Sequence, residues 1–288
     1  ILIQKIYSDL ILLYLMITNT ELELKGNQFP TKIKSYKRDL NILHFTTQNK
    51  VTLELTIVRD SVLRLRYFPA NDFNNDFSYA ISKNASKGYN QLDVTEDKEK
   101  YVITTSKLIC HINKANLKAS MYDAKSKALI NADEHGFHWE ENYENGGNIV
   151  KMSKISHKGE SYYGLGDKPV SLNLKGKRFV NWVTDSYSYT KKSDPIYKAI
   201  PFYTGIHLGK AYGIFFDNSF RTYFDFAHER KDVSSFWAQG GHMNYYFIYG
   251  PKMMDVIESY TDLTGKPIEL PPLWALGYHQ CKWSYYPE

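Results

Sequence analysis

Residues 51–68 read VTLELTIVRDSVLRLRYF. Val51, Leu53, Leu55 and Ile57 fall on one face, and Thr52, Glu54 and Thr56 on the other. Leu63, Leu65 and Tyr67 then alternate with Arg64 and Arg66. A period of two places an apolar row against a core and a polar row toward water, which is the pattern of half-buried antiparallel strands. The same texture recurs at Leu108, Cys110 and Ile112, after the β-branched run Val102–Thr105. It returns at 206–208, 213–216, 220–226 and 244–249, with Asp217-Asn218-Ser219 and Gln239-Gly240-Gly241 as connections between strands. One helix is expected, opened by Gly250-Pro251 and closed by Gly265 and Pro267. Within it Met253, Val256, Ile257, Tyr260 and Leu263 recur at helical spacing. The polar stretch 131–148 is expected to be a solvated loop. Its His135 and His138 lack a third ligand at a persuasive spacing, so no metal site is read there.

Composition narrows the class. With 36 Lys+Arg against 31 Asp+Glu the formal charge is +5, and no basic tract reaches five residues. That charge is too mild and too scattered to argue for nucleic acid, and no nucleic-acid partner is expected. At 43% hydrophobic the chain can bury a core and is not disordered. Its two cysteines, Cys110 and Cys281, cannot build a disulfide framework or a four-ligand zinc site. The aromatic content is high, with 24 Tyr, 15 Phe and 5 Trp. Rings favour strands, and their faces also suit the apolar C–H face of a pyranose. The apolar stretch 10–17 is shorter than the roughly 20 residues a bilayer span needs, so no membrane partner is expected.

The texture changes twice more. Gly164-Leu165-Gly166 has the start of a dinucleotide loop, but Pro169 stands where the third Gly belongs and no helix pattern follows. After the stiff connector Leu270-Pro271-Pro272, the run 273–281 loses alternation over its first half, as a strand covered on both faces would. The expected organisation is an unassigned N-terminal extension over 1–19, a β-sandwich domain over 20–269, and a new unit beginning at 270–288.

An ordered series of motifs carries a resemblance. It runs Tyr163-Gly164-Leu165-Gly166-Asp167-Lys168, Leu172 to Arg178, Trp182-Val183-Thr184-Asp185, and Asp194-Pro195-Ile196-Tyr197 with Ile200-Pro201-Phe202. It continues with Gly213 to Asn218, Gly240-Gly241, Tyr245 to Pro251, Tyr260 to Gly265, and Pro271 to Tyr285. In this order the series resembles the N-terminal part of glycoside hydrolase family 31, the α-glucosidase family. The resemblance implies a mainly β protein, in which a large antiparallel, galactose-mutarotase-like β-sandwich is followed by the first strand of a truncated (β/α)8 barrel. It implies retaining hydrolysis of terminal, non-reducing α-linked glucose from an α-glucoside oligosaccharide. Retention uses two carboxyl groups about 5–5.5 Å apart.

A barrel takes about 250 residues, and the family's catalytic aspartates lie on later barrel strands, so no catalytic residue is assigned in this chain. Three substrate-binding residues are carried over: Asp185 for sugar hydroxyls, and Trp283 and Tyr285 as rings lining the pocket of the terminal sugar. Tyr187 and Tyr189 are expected to wall the same loop as Asp185. Asp167, Asp194 and Asp217 are read as turn residues. Hydrolysis by paired carboxyls needs no cofactor, and neither a cofactor nor a metal is expected. A homo-oligomer stays open. The alternative reading is a stand-alone carbohydrate-binding β-sandwich without catalytic activity.

Overall fold

The computed structural model describes residues 27–69, 76–82, 89, 91–142, 147–266 and 269–279. Two antiparallel sheets carry the fold, as the alternating pattern requires. The first contains Ile33–Asp39 (β1), Ile42–Thr47 (β2), Thr52–Arg59 (β3) and Val62–Phe68 (β4). The second opens with Asp93–Glu96 (β5), Lys100–Thr104 (β6), Leu108–Asn113 (β7), Ala119–Asp123 (β8), Leu129–Glu141 (β9) and Asn148–Ile155 (β10). The chain returns to the first sheet with Ser161–Gly166 (β11) and to the second with Lys177–Asn181 (β12). Ala199–His207 (β13) and Lys210–Phe216 (β14) join the first sheet, Thr222–Phe226 (β15) and Val233–Ala238 (β16) the second, and Met243–Tyr249 (β17) the first. Spatial order is β1-β2-β3-β4-β17-β14-β13-β11 in one sheet and β12-β15-β16-β10-β9-β8-β7-β6-β5 in the other.

The apolar rows read from the sequence face each other across one core. Leu53, Leu55, Ile57, Leu63 and Leu65 pack into a cluster with Ile103, Cys110, Phe137, Met152, Phe224 and Phe236. The helix Met253–Thr264 (α1) lies on the outer face of the first sheet, where Val256 and Leu263 join Phe202, Phe215, Tyr246 and Ile248. Tyr260 stacks on Phe202 with ring centroids 3.9 Å apart. β17 is therefore covered on both faces, and each of its seven residues is buried. The helix starts two residues after Pro251, where the Asp255 carboxylate accepts the Lys252 N–H, and the Gly265 N–H closes it onto Thr261 O.

The tyrosines are more central than a surface-strand reading implies. Tyr67, Tyr162, Tyr203, Tyr212 and Tyr245 are fully buried. Their hydroxyls need partners there, and charged groups supply several. Glu160 accepts from Tyr212 Oη at 2.7 Å and Tyr162 Oη at 2.9 Å. Lys154 Nζ reaches Tyr245 Oη at 3.3 Å and Asp133 Oδ1 at 2.7 Å.

Two local readings are corrected. The expected loop 131–148 is largely strand, because β9 runs through it as far as Glu141. Its inward-facing residues before Gly136 include the polar Asn131 and Asp133, and Phe137 and Trp139 follow after it. Pairing with β10 slips between Ser153↔Gly136 and Lys154↔Asp133, so extra residues bulge out and break the alternation. His138 is consequently buried against Phe29, and His135 is exposed beside Glu134.

The second correction concerns the start of the expected barrel strand. Leu273–Leu276 forms a 3-10 turn, with the Ala275 N–H donating to Pro272 O and the Gly277 N–H to Trp274 O. A parallel strand needs a neighbour to take its N–H and C=O groups. Among the described residues none pairs with this segment, and the turn satisfies those groups locally. No helix among the described residues is long and apolar enough to cross a membrane.

Candidate functional site

The segment between β12 and β13 leaves the sandwich as a long loop, and named contacts hold its shape. At its base Lys168 Nζ meets Asp194 Oδ1 at 2.6 Å and Val180 O at 2.7 Å. Asp194 Oδ2 accepts the Val180 N–H at 2.6 Å. Farther out the Thr184 N–H donates to Ile196 O, and Tyr197 Oη to Ser186 O at 2.6 Å. Asp194 is thus an ion-pair partner and backbone acceptor, not the plain turn residue expected from the sequence. The Gly164-Leu165-Gly166 stretch serves the same loop by its lack of bulk. A Cβ at Gly166, with φ near +81°, would lie 2.6 Å from Lys198 O, so glycine lets β11 approach the chain at the return of this loop.

Asp185 sits in the middle of the loop, exposed. Among the described residues its carboxylate has no hydrogen bond or ion pair. Tyr187 and Tyr189 are exposed beyond it, 86% and 53% respectively, with Tyr189 edge-on to Tyr197. Trp283 and Tyr285 lie outside the described residues, so their placement relative to Asp185 is not part of this geometry.

At the foot of the loop lies a cleft of about 660 Å3, walled in part by Arg64, Arg66 and Phe215 of the first sheet and by Tyr260 of α1. Trp182 and Val183 enter it from the loop, Phe220 from the β14–β15 connection, and Phe77 and Tyr79 from the segment after β4. Arg221 covers Trp182, its guanidinium carbon 5.4 Å from the ring centroid. Arg64 forks onto Asp76 at 2.9 and 2.6 Å and donates from Nε to Asn244 Oδ1 at 2.9 Å.

That fork holds the Asp76 carboxyl below its ordinary range. Burial pushes Asp217 up, against hydrogen bonds from Ser78 at 2.8 Å and Asn244 at 3.2 Å. Asp217 is therefore a half-buried acceptor of the cleft wall, again more than a turn residue. Asp167 is 40% exposed in its side chain, which lies 3.8 Å from Lys198 Nζ. Both cleft carboxyls are engaged by neighbours and serve to hold the wall. Among the described residues no three His, Cys, Asp or Glu are placed to hold a metal ion.

The sequence did not single out this cleft. Its residues come from separate segments, yet Trp182, Ile200-Pro201, Phe215 to Asn218 and Gly241 all belong to the quoted motifs. Their convergence on one cleft is the signal the linear reading missed.

Comparison with known proteins agrees with the architecture. The model of the glycosyl hydrolase 31 N-terminal galactose mutarotase-like domain matches residues 52–225, more than half of the chain. Alpha-glucosidase 2 of Bacillus thermoamyloliquefaciens is 32% identical over 234 residues, which cover 81% of this chain and 29% of that protein. An alpha-glucosidase of Saccharolobus solfataricus is 39% identical over 142 residues, covering 49% and 20%. Among solved structures, a Flavobacterium johnsoniae GH31 dextranase complexed with isomaltotriose superposes with a TM-score of 0.79 at 32% identity, over 87% of this chain and 30% of its own. The chain thus spans less than a third of the length of these relatives.

Proposed function

Because the chain belongs to glycoside hydrolase family 31, we propose that it is the N-terminal sandwich of a retaining α-glucosidase that removes terminal, non-reducing α-linked glucose from oligosaccharides. In this reading residues 20–269 form the sandwich domain and 270–288 begin a (β/α)8 barrel. The barrel carries both reacting carboxyl groups at the C-terminal ends of its strands. No carboxyl of this chain attacks or transfers a proton.

One observation carries the role given to this chain. Asp185 is an exposed carboxylate without a partner among the described residues, on a loop anchored at its base by Lys168 and Asp194. A carboxylate so held can accept two sugar hydroxyls and orient the ring without taking part in bond breaking. Trp283 and Tyr285 would add ring faces that exclude water from the developing oxocarbenium ion.

The test uses the protein made from its complete reading frame, assayed on an aryl α-glucoside. Hydrolysis releasing the α-anomer first is expected, whereas initial release of the β-anomer would overturn retention. Asp185→Ala is expected to raise KM about tenfold with kcat nearly unchanged, as for lost uniform binding. A several-thousandfold fall in kcat with folding intact would make Asp185 a chemical participant. Turnover by residues 1–288 alone would overturn the placement of the reacting carboxyls elsewhere. Glucan binding without turnover by the complete protein would favour a non-catalytic binding module.

A further inference from the structure

Among the described residues the Asp185 carboxylate has no hydrogen bond or ion pair, so its position is that of the backbone beneath it. The two arms of its loop are held differently. The returning arm is tied to the sandwich by Asp194, through Lys168 Nζ at 2.6 Å. The departing arm, 182–186, bonds to the returning one: the Thr184 N–H donates to Ile196 O at 3.3 Å, and Ser186 O accepts from Tyr197 Oη at 2.6 Å. Those bonds join the arms to each other and would let them swing together about the base. Among the described residues one hydrogen-bonding, ionic or cation–π contact ties 182–186 to the sandwich itself. It is the Arg221 guanidinium over the Trp182 ring, 5.4 Å from the centroid.

Arg221 is backed by rigid structure. It directly precedes β15 and lies beside Tyr223. Tyr223 pairs with Trp237 across the β15–β16 ladder, and the two rings stack 5.1 Å apart at 7°. Lys151 Nζ and Arg178 Cζ stand 5.2 and 5.5 Å from the Trp237 centroid. Rings and cations thus run from Trp182 onto four neighbouring strands of the second sheet. A planar guanidinium lies flat on an indole face and fixes its orientation as a point charge does less well. Trp182 is 45% exposed, so this cover settles where an otherwise half-free ring rests. Asp185 follows three residues later, and its Cα can be at most about 11 Å from that of Trp182.

We propose that Arg221 is a positioning residue for Asp185. By holding Trp182 it sets the direction in which the departing arm leaves the sheet, and with it the point at which the carboxylate meets substrate hydroxyls. The substrate side of this inference rests on the function proposed above; the mechanical side rests on the Arg221–Trp182 contact alone. Arg221 touches no reacting atom, so its loss should alter substrate binding and spare the chemical step.

Two experiments test it. In the 288-residue chain, trypsin should cut faster at the exposed Lys191 and Lys192 in Arg221→Met, while Arg221→Lys, which keeps a cation over the ring, should be cut as the wild type is. In the protein made from its complete reading frame, Arg221→Met is expected to raise KM for an aryl α-glucoside about threefold with kcat nearly unchanged, the size of one half-exposed cation–π contact. Arg221→Lys should restore KM. Trp182→Leu removes the same contact from its other side, and the double variant should be no worse than the poorer single one. In an Asp185→Ala background Arg221→Met should change KM no further, because its effect passes through Asp185.

Wild-type cleavage and KM in Arg221→Met would overturn the proposal. So would a full threefold rise in the Asp185→Ala background, or an Arg221→Lys variant that behaves like Arg221→Met. If cleavage rises as described but the complete protein hydrolyses no α-glucoside, the functional reading fails and the hold of Arg221 on the loop stands. If the complete protein hydrolyses α-glucosides and Arg221→Met leaves KM unchanged, the positioning role fails and the functional reading stands.

Discussion

Lys168 Nζ and Asp194 Oδ1 lie 2.6 Å apart and join the end of β11 to the returning arm of the Asp185 loop. The lysine side chain is 4% exposed and the aspartate 20%. Both also bond the backbone of Val180 at the loop's departure. One ion pair thus fixes where the loop leaves the sandwich and where it comes back.

Breaking that pair should loosen the loop and weaken the fold. Lys168→Met leaves Asp194 with a single backbone donor in a partly desolvated site, and the expected loss is ~3 kcal/mol. Urea unfolding reads the loss, and trypsin should cut faster at the exposed Lys191 and Lys192. An unchanged urea midpoint together with unchanged cleavage would show that the loop is held by other contacts.

Lys154 and Asp133 form an ion pair buried between the sheets, with side chains 1% and 0% exposed. Lys154→Met strands the carboxylate and should cost about 3–5 kcal/mol. The double change with Asp133→Leu should not restore the wild-type stability, because Asp133 also accepts the Ala119 N–H at 2.8 Å and that donor would stay unpaired. Denaturant curves of the single and double variants decide this, and full recovery in the double variant would contradict it.

His138 gives the fold an acid-sensitive point. Burial lowers its pKa to about 4 from 6.5, and its Nδ1–H donates to Gly136 O at 3.1 Å. Above pH 6.5 the ring is neutral in both the folded and unfolded states and has no effect. As pH falls from 6.5 toward 4 only the unfolded chain binds the proton, so stability drops, by about 3 kcal/mol from this group, and the effect levels off below pH 4. His138→Phe should flatten that part of the stability profile. A wild-type-like slope in the variant would assign the acid sensitivity elsewhere.

Gly205 is fixed by space alone. A Cβ there would lie 2.3 Å from Cζ of Tyr212, a fully buried ring whose hydroxyl is tied to Glu160. Gly205→Ala should therefore destabilise by ~3 kcal/mol, at the upper end of ordinary overpacking. Thermal melts test it, and an unchanged melting temperature would mean that Tyr212 can move aside.

The strand pattern is legible where alternation is uninterrupted. Val51, Leu53, Leu55 and Ile57 are fully buried, as their spacing requires, and Phe224 and Phe226 face the core in the expected phase. Alternation fails as a guide where a bulge interrupts it and polar residues such as Asp133 take inward positions, which is why the β9 sequence reads as a loop around Gly136. Two of the buried tyrosines are equally illegible, because Tyr212 Oη meets Glu160 and Tyr245 Oη meets Lys154, partners far away in the chain that no local spacing records.

The sequence by itself determined the antiparallel class, the helix over the sheet, the family and the loop that bears Asp185, since each rests on short-range periodicity or on motif order. Only the tertiary structure decided that Lys168 and Asp194 anchor that loop, and that Arg64, Asp76, Asp217 and Asn244 meet in one cleft wall. Those facts depend on which strands become neighbours across two sheets. Pairing of that kind is set by the packing of the whole core, and residues far apart in the chain acquire their chemistry from it.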